Sequence, residues 1–369
     1  MKYYIIAGEA SGDLHGAKLI TALKEKDDKA QIRFWGGDLM QKAGGELVKH
    51  YKELAFMGFL EVITHLGTIL KNIKFCKKDI THFDPDVVIY IDYPGFNLRI
   101  AKWAKQQGHT NHFYISPQVW AWKESRVDQM KRDLDSLYVI LPFEKIFFEN
   151  KHQFKVQFVG HPLLDTLAKR KKSTAFLKQN NLSAENNLIV LLPGSRKQEI
   201  KKMLPLFLKV STLYPQYEFV LAGAPGIDIE WYQKFLTTQN IKVVHNKAYD
   251  LLLHAKAALV SSGTATLETA LFNVPQVVCY RSSFLTYQIA KRLVKLNFIS
   301  LVNLILDREV VKELIQGAFN EKEVGQQLEY ILSEAGQKKM KKDYKELRTA
   351  LGGEGASEKT AQLIIDAIQ

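Results

Sequence analysis

Cysteine is nearly absent: Cys76 and Cys279 are the only two among 369 residues, and neither stands in a metal-type or redox-type spacing. That excludes a disulfide framework and a thiolate zinc centre and leaves both as reduced packing residues. Long apolar runs are missing as well. No stretch reaches the roughly 20 residues that a bilayer-spanning helix needs. The opening Met1-Lys2-Tyr3-Tyr4-Ile5-Ile6-Ala7-Gly8 turns into glycine too early for a signal peptide, so a cytoplasmic product is expected. Acidic residues are in deficit, 39 Asp and Glu against 51 Lys and Arg, for a formal charge of +12. An anionic partner is therefore expected, either a phosphorylated substrate, nucleic acid or a membrane surface. Zinc fingers, aromatic RNA-binding motifs and DNA-reading modules are all lacking, which argues against nucleic acid. Internal repeats and low-complexity tracts are lacking too.

What the chain does contain is a regular alternation. Tyr3 to Ala7, Ile32 to Trp35, Val87 to Ile91, His112 to Ile115 and Leu137 to Leu141 are short, β-branched or aromatic runs separated by amphipathic stretches. A second series follows the Gly160-His161-Pro162 turn: Leu188 to Leu192, Phe219 to Ala222, Val243 to His245, Ala258 to Val260 and Gln276 to Tyr280. This βα rhythm predicts an α/β protein of two doubly wound, Rossmann-like parallel-sheet domains, residues 1–165 and 166–345. After the break Gly352-Gly353-Glu354-Gly355, a C-terminal helix within 346–369 is expected to pack back on the first domain.

In doubly wound sheets ligands sit beyond the carboxyl ends of the strands, so the loops that follow strands are where chemistry is sought. Leu192-Pro193-Gly194-Ser195-Arg196 and Ser261-Ser262-Gly263-Thr264-Ala265-Thr266-Leu267-Glu268 both lead from a strand into a helix. Small residues there let backbone N–H groups approach an anion at the helix N-terminus. Arg196 adds a fork of donors for phosphate and Glu268 an acceptor pair for vicinal hydroxyls, so a nucleoside diphosphate is the expected ligand. The plainer alternative is that Gly194 and Gly263 only turn the chain. In the first half, Gly8-Glu9-Ala10-Ser11-Gly12-Asp13 has the wrong glycine spacing for a dinucleotide fingerprint, and its carboxylates suit a sugar better than a pyrophosphate; Asp13 alone also reads as a helix cap. Asp92, in Asp92-Tyr93-Pro94-Gly95-Phe96-Asn97, is a candidate general base or else a cap for the helix that Pro94 opens. Gln118, Trp120 and Trp122 in Ser116 to Lys123 offer an aromatic wall with a polar edge, for a sugar or an acyl chain. Between Met57 and Phe83, Leu60, Ile63, Leu66, Ile69, Leu70 and Ile73 form an apolar stripe flanked by lysines, readable as a sheet-packing face or as a patch lying on an anionic bilayer.

These stretches, with Phe56-Met57-Gly58-Phe59-Leu60-Glu61-Val62 and Val159-Gly160-His161-Pro162-Leu163, occur in an order that resembles the lipid-A-disaccharide synthase family, inverting glycosyltransferases of the GT-B fold whose two domains face across a cleft. The resemblance runs from the start of the chain to about Asn303. It implies transfer of 2,3-diacylglucosamine from UDP to the 6-hydroxyl of 2,3-diacylglucosamine 1-phosphate, in lipid A and lipopolysaccharide synthesis. It further implies Asp92 as base, Arg196 and the Ser262 to Thr264 loop on the diphosphate, Glu268 on the ribose and Asn303 near the donor. No metal or other cofactor is required, and Asp133-Leu134-Asp135 is not read as a metal motif. The stripe matches the region that holds these enzymes to the cytoplasmic face of the inner membrane, and a homodimer with exchanged tails is compatible with the family. Two details depart from the pattern: Asp38, where the family often has proline, and the poorly fitting region Phe284 to Ser300. A non-hydrolysing UDP-N-acetylglucosamine 2-epimerase and a catalytically silent nucleotide-binding protein at the membrane surface are the alternatives.

Overall fold

A computed structural model describes residues 1–54, 66–168, 170–183, 187–236, 241–283, 287–288 and 296–369. It divides into two units, Met1–Asp165 with Leu351–Gln369, and Thr166–Ala350. In the first, β1 (Lys2–Ala7), β2 (Gln31–Gly36), β3 (Glu46–His50), β4 (Val87–Ile91), β5 (Asn111–Tyr114), β6 (Ser136–Val139) and β7 (Gln157–Phe158) form a parallel sheet in the order 3-2-1-4-5-6-7. β4 is buried along its whole length and β1 all but its first residue, because helices cover both faces, and this is why they read as unbroken apolar runs.

On one face α3 (Leu66–Phe83), α4 (Pro94–Gln106) and α5 (Arg126–Asp133) enclose a core around Trp35, Tyr90, Phe113 and Phe148. On the other lie α1 (Ala10–Lys26) and α2 (Asp38–Lys42), with Leu19, Ile20, Leu23 and Met40 inward. A short helix, α6 (Pro142–Ile146), follows β6. Arg33 from β2 and Asp79 from α3 make a two-pronged ion pair, and Tyr4 donates to the same carboxylate at 2.7 Å. That partly buried link clamps α3 to the sheet.

The second unit repeats the plan with β8 (Leu188–Leu192), β9 (Glu218–Gly223), β10 (Lys242–His245), β11 (Ala255–Ser261), β12 (Gln276–Tyr280) and β13 (Lys312–Ile315), parallel in the order 10-9-8-11-12-13. Its helices include α7 (Lys197–Thr212), α8 (Ala248–His254), α9 (Thr264–Leu271), α10 (Leu301–Leu306), α11 (Glu321–Leu332) and α12 (Glu334–Ala350). The chain then returns to the first unit. Gly352 and Gly353 take left-handed φ of +85° and +81°, and Leu351 carbonyl accepts from His161 N–H at 3.1 Å. The last helix, α13 (Ala356–Ile368), packs Ala361, Ile364 and Ile365 into the core beside α1.

Three strands went unread in the sequence: β3, β7 and β13. Each lies at an edge of its sheet, where partial exposure and short length erase the apolar run that marks a central strand. Among the described residues no helix is long and apolar enough to cross a membrane.

Candidate active site

Strand order decides where a ligand can enter a doubly wound sheet, namely at the point where consecutive connections diverge to opposite sides. In the first unit that point lies between β1 and β4, and in the second between β8 and β11. The loops singled out above are the ones that leave these strands. Gly8–Asp13 follows β1 and Asp92–Asn97 follows β4, brought level by the pairing of Ala7 with Ile91. Gly194–Arg196 follows β8 and Ser262–Thr264 follows β11, likewise level through Leu192 and Val260.

In the first unit the geometry is tightest at Asp92. Asp92 and Tyr93 both adopt left-handed backbone conformations, φ +44° and +49°. For side-chain-bearing residues this costs about 1–2 kcal/mol each, and such strain is characteristic of functional sites. The turn lays the Tyr93 ring against Gly8 so closely that a Cβ there would lie 2.2 Å from the ring, which is why position 8 is glycine. No side chain caps α4. Burial, and secondly the charge of Glu9, push Asp92 up to about 6. A carboxylate pushed toward neutrality, with no cation partner among the described residues, is suited to accept a proton.

A second carboxyl, which the sequence reading missed, stands nearby. Glu144 of α6 is fully buried, accepts the Trp120 indole N–H at 3.1 Å and the Ile140 and Leu141 backbone N–H groups at 3.2 and 3.0 Å. Burial pushes it up to about 7, with the charge of Asp92 acting in the same direction. The local signal was the Pro142-Phe143-Glu144 helix start; its burial had no local signal. Trp120 packs edge-on against Phe143, with ring centroids 4.8 Å apart, whereas Trp122 is exposed with Lys123 and Arg126 over its ring. Gln118, Glu9 and Ser11 are exposed and Gly12 is buried against Ala7.

Asp13 is placed differently from either expectation. Its buried carboxylate accepts the N–H groups of Gly37, Leu39 and Met40 at 2.8–3.1 Å, so it caps the neighbouring α2 rather than its own helix. Backbone donors hold both oxygens.

In the second unit Arg196 is highly exposed and pairs with Glu199 at 3.3 Å. The same glutamate accepts the Ser195 and Arg196 N–H groups, each at 3.3 Å. The cradle expected to hold a phosphate is thus closed by the protein's own carboxylate, through long contacts that an anion of higher charge can displace. Across the switch point, α9 starts at Thr264 beside Gly263 with no side chain capping it, the Thr266 N–H donating to the Gly263 carbonyl at 3.2 Å, and the positive end of the helix dipole faces the loop. Glu268, one turn on, is held above its ordinary value by burial, opposed by a hydrogen bond from Tyr249 of α8. Tyr249 was not singled out from sequence; it lies far from Glu268 in the chain, and only the neighbouring positions of α8 and α9 reveal the pair.

Asn303 is buried and fully engaged: its amide donates to Val311 carbonyl and Glu313 at 2.8 Å and accepts from the Val310 and Val311 N–H groups at 2.7 and 2.9 Å. It is a structural hub with no hydrogen-bonding capacity left over. Through Glu313, which accepts the Ile299 and Ser300 N–H groups, it fixes the segment whose Ile299 carbonyl accepts from the Ser262 hydroxyl.

Of the apolar stripe, Leu60, Ile63 and the side chain of Leu66 lie outside the described residues. Ile73 turns inward onto the core and Ile69 is partly buried, while Leu70 is 61% exposed and Phe75 47%, the Phe75 ring also lying 5.9 Å from that of buried Trp35, and Lys71, Lys74 and Lys78 are exposed around them. Among the described residues no group of three or more His, Cys, Asp or Glu is arranged to hold a metal.

Known proteins resemble this chain closely in sequence and more distantly in shape. A family model described as "Lipid-A-disaccharide synthetase" matches residues 3–367. A lipid-A-disaccharide synthase from Syntrophus aciditrophicus (strain SB) is 36% identical over 373 residues, which covers 99% of this chain and 97% of that protein. UDP-GlcNAc 2-epimerase from Neisseria meningitidis, solved bound to UDP-GlcNAc, superposes with a TM-score of 0.70 at 13% identity, covering 99% of this chain and all of that one. The glycotransferase of kitacinnamycin gives 0.66 at 14%, covering 99% and 98%. At such identity the structural likeness carries the fold alone, the paired Rossmann-like domains of the GT-B class.

Proposed function

We propose, on the premise that this chain belongs to the lipid-A-disaccharide synthase family, that it transfers 2,3-diacylglucosamine from its UDP conjugate to the 6-hydroxyl of 2,3-diacylglucosamine 1-phosphate. It is a glycosyltransferase of lipid A disaccharide synthesis. The substrates follow from that membership, and the observation that carries the assignment of roles is Asp92: a strained, partly buried carboxylate at the switch point, without a cation partner among the described residues and pushed up to about 6.

In this reading the acceptor O6 gives its proton to Asp92 while attacking the anomeric carbon from the face opposite UDP. The bond from that carbon to the diphosphate oxygen breaks, UDP leaves with the electron pair, and a β-linked disaccharide 1-phosphate results. Arg196 and the N–H groups at the start of α9 meet the charge that develops on the diphosphate, after Glu199 has yielded its place. Glu268 takes the ribose hydroxyls. Gly8, Glu9, Ser11, Gln118 and Trp120 belong to the acceptor side. Asp13 and Asn303 serve the architecture that holds these loops, consistent with their saturated hydrogen bonding. No cofactor takes part.

The enzyme works, in this reading, at the cytoplasmic face of the inner membrane. Leu70 and Phe75 among three lysines support a surface that rests on anionic lipid, as does the charge of +12. The test is UDP release from UDP-2,3-diacylglucosamine, with and without 2,3-diacylglucosamine 1-phosphate, with mass analysis of the lipids. Acceptor-dependent release and a disaccharide 1-phosphate are expected. Acceptor-independent release, or none despite UDP binding, overturns the proposal.

A further inference from the structure

We propose that Asn97 is a positioning residue that holds Asp92 in its working geometry, a role that rests on the reading of Asp92 as the base. The two asparagines buried near the switch points differ in a telling way. Asn303 satisfies both ends of its amide, as a side chain retained for packing does. Asn97 is equally buried, yet among the described residues its Oδ1 has no hydrogen-bond partner, and only its donor end is used.

Everything that donor end reaches belongs to the two diverging strands. Nδ2 donates to the Asp92 carbonyl at 2.7 Å, and the carbonyls of Ile91 and Ile6, the latter from β1, share it at 3.4 Å each. The backbone N–H of Asn97 donates to the Tyr93 carbonyl at 3.1 Å. One residue therefore grips both members of the left-handed pair, Asp92 and Tyr93, and ties them to the strand from which the Gly8 loop departs.

Two consecutive left-handed residues with side chains do not persist without such an external hold. Release of the Asp92 carbonyl lets the turn relax toward an ordinary conformation, which rotates the carboxylate away from its direction and lifts Tyr93 off Gly8. The peptide would still fold. What suffers is the aim of the base, and a displacement of about 1 Å at a reacting group lowers rates by about 100-fold.

The experiment compares Asn97→Ala and Asn97→Leu with the wild type; leucine removes the donor while filling the volume, so a cavity cannot account for a shared result. Three quantities are read: kcat and KM for acceptor-dependent UDP release, UDP affinity by calorimetry, and the cooperativity of thermal unfolding. Both variants are expected to lose kcat by about 10- to 100-fold, with KM and UDP affinity within about twofold and a cooperative melt retained. A smaller loss of kcat overturns the proposal. So does a loss accompanied by weakened UDP binding or a non-cooperative melt in both variants, since that describes a structural residue. Asp92→Asn, run alongside, separates the claims. Retained turnover in that variant refutes the base, whereas retained turnover in the Asn97 variants beside an inactive Asp92→Asn refutes only the positioning role.

Discussion

Replacing Asp92 by Asn should disable the chemistry and strengthen the fold. Burial and Glu9 raise the carboxyl from 3.8 to about 6, so the native state holds this proton more tightly than the unfolded chain does. The sign follows directly. Below pH ~4 the group is protonated in both states and carries no penalty; between ~4 and 6 the unfolded chain loses its proton first; above ~6 the native state bears the full penalty of a buried carboxylate. At about 1.4 kcal/mol per unit, a shift of about two units is worth ~3 kcal/mol at most, and ~1–3 kcal/mol after allowance for partial exposure. Asparagine removes the charge while keeping the shape, so Asp92→Asn should melt several degrees above the wild type at pH 8, at ~2–4 °C per kcal/mol. That gap should close as the pH falls through 6 toward 4. Differential scanning calorimetry of both proteins at pH 8, 6 and 4.5 reads it directly, and turnover measured beside it should collapse at every pH. An Asp92→Asn protein that melts at or below the wild type at pH 8, or by a margin independent of pH, refutes the claim that this carboxylate is held at the expense of stability.

Arg196→Ala is expected to weaken UDP binding by ~10- to 100-fold, the worth of a charge-assisted contact, with little change in melting temperature, because its ion pair with Glu199 is exposed; calorimetric titration at two salt concentrations checks the first and a thermal melt the second. Asn303→Ala leaves the Val310 and Val311 N–H groups and the Val311 carbonyl without partners in a buried site, so it should lower stability by ~2–4 kcal/mol, measured by urea unfolding. Leu70→Ser with Phe75→Ser should release the protein from anionic vesicles in a co-sedimentation assay while UDP affinity stays unchanged; unaltered sedimentation would count against the described part of α3 as a membrane contact.

Ten strand runs, nine of them central in their sheets and the edge strand β10, and the four loops of interest were legible because their information is local. A strand covered on both faces must be apolar throughout, and a loop that approaches a ligand or a ring must use small residues, as Gly8 does beneath Tyr93. Charge balance and the lysine-flanked stripe were equally visible, since composition needs no coordinates. The family resemblance added the reaction, which no periodicity could supply.

Partnerships across long sequence distances were not legible. Glu144 meets the Trp120 indole only because β5 and β6 are neighbours in the sheet, and Tyr249 meets Glu268 only through the packing of their helices. Asp13 read from the sequence either as part of a sugar-binding loop or as a helix cap; the turn after β2 brings three N–H groups to its carboxylate, so the helix it caps is α2. Sequence alone determined what kinds of side chain stand after each strand and hence which chemistry is available. Tertiary structure decided which of them are already committed to the protein's own backbone and which, like Asp92, are held without a cation partner among the described residues, because hydrogen bonding and burial depend on neighbours that the chain supplies only when folded.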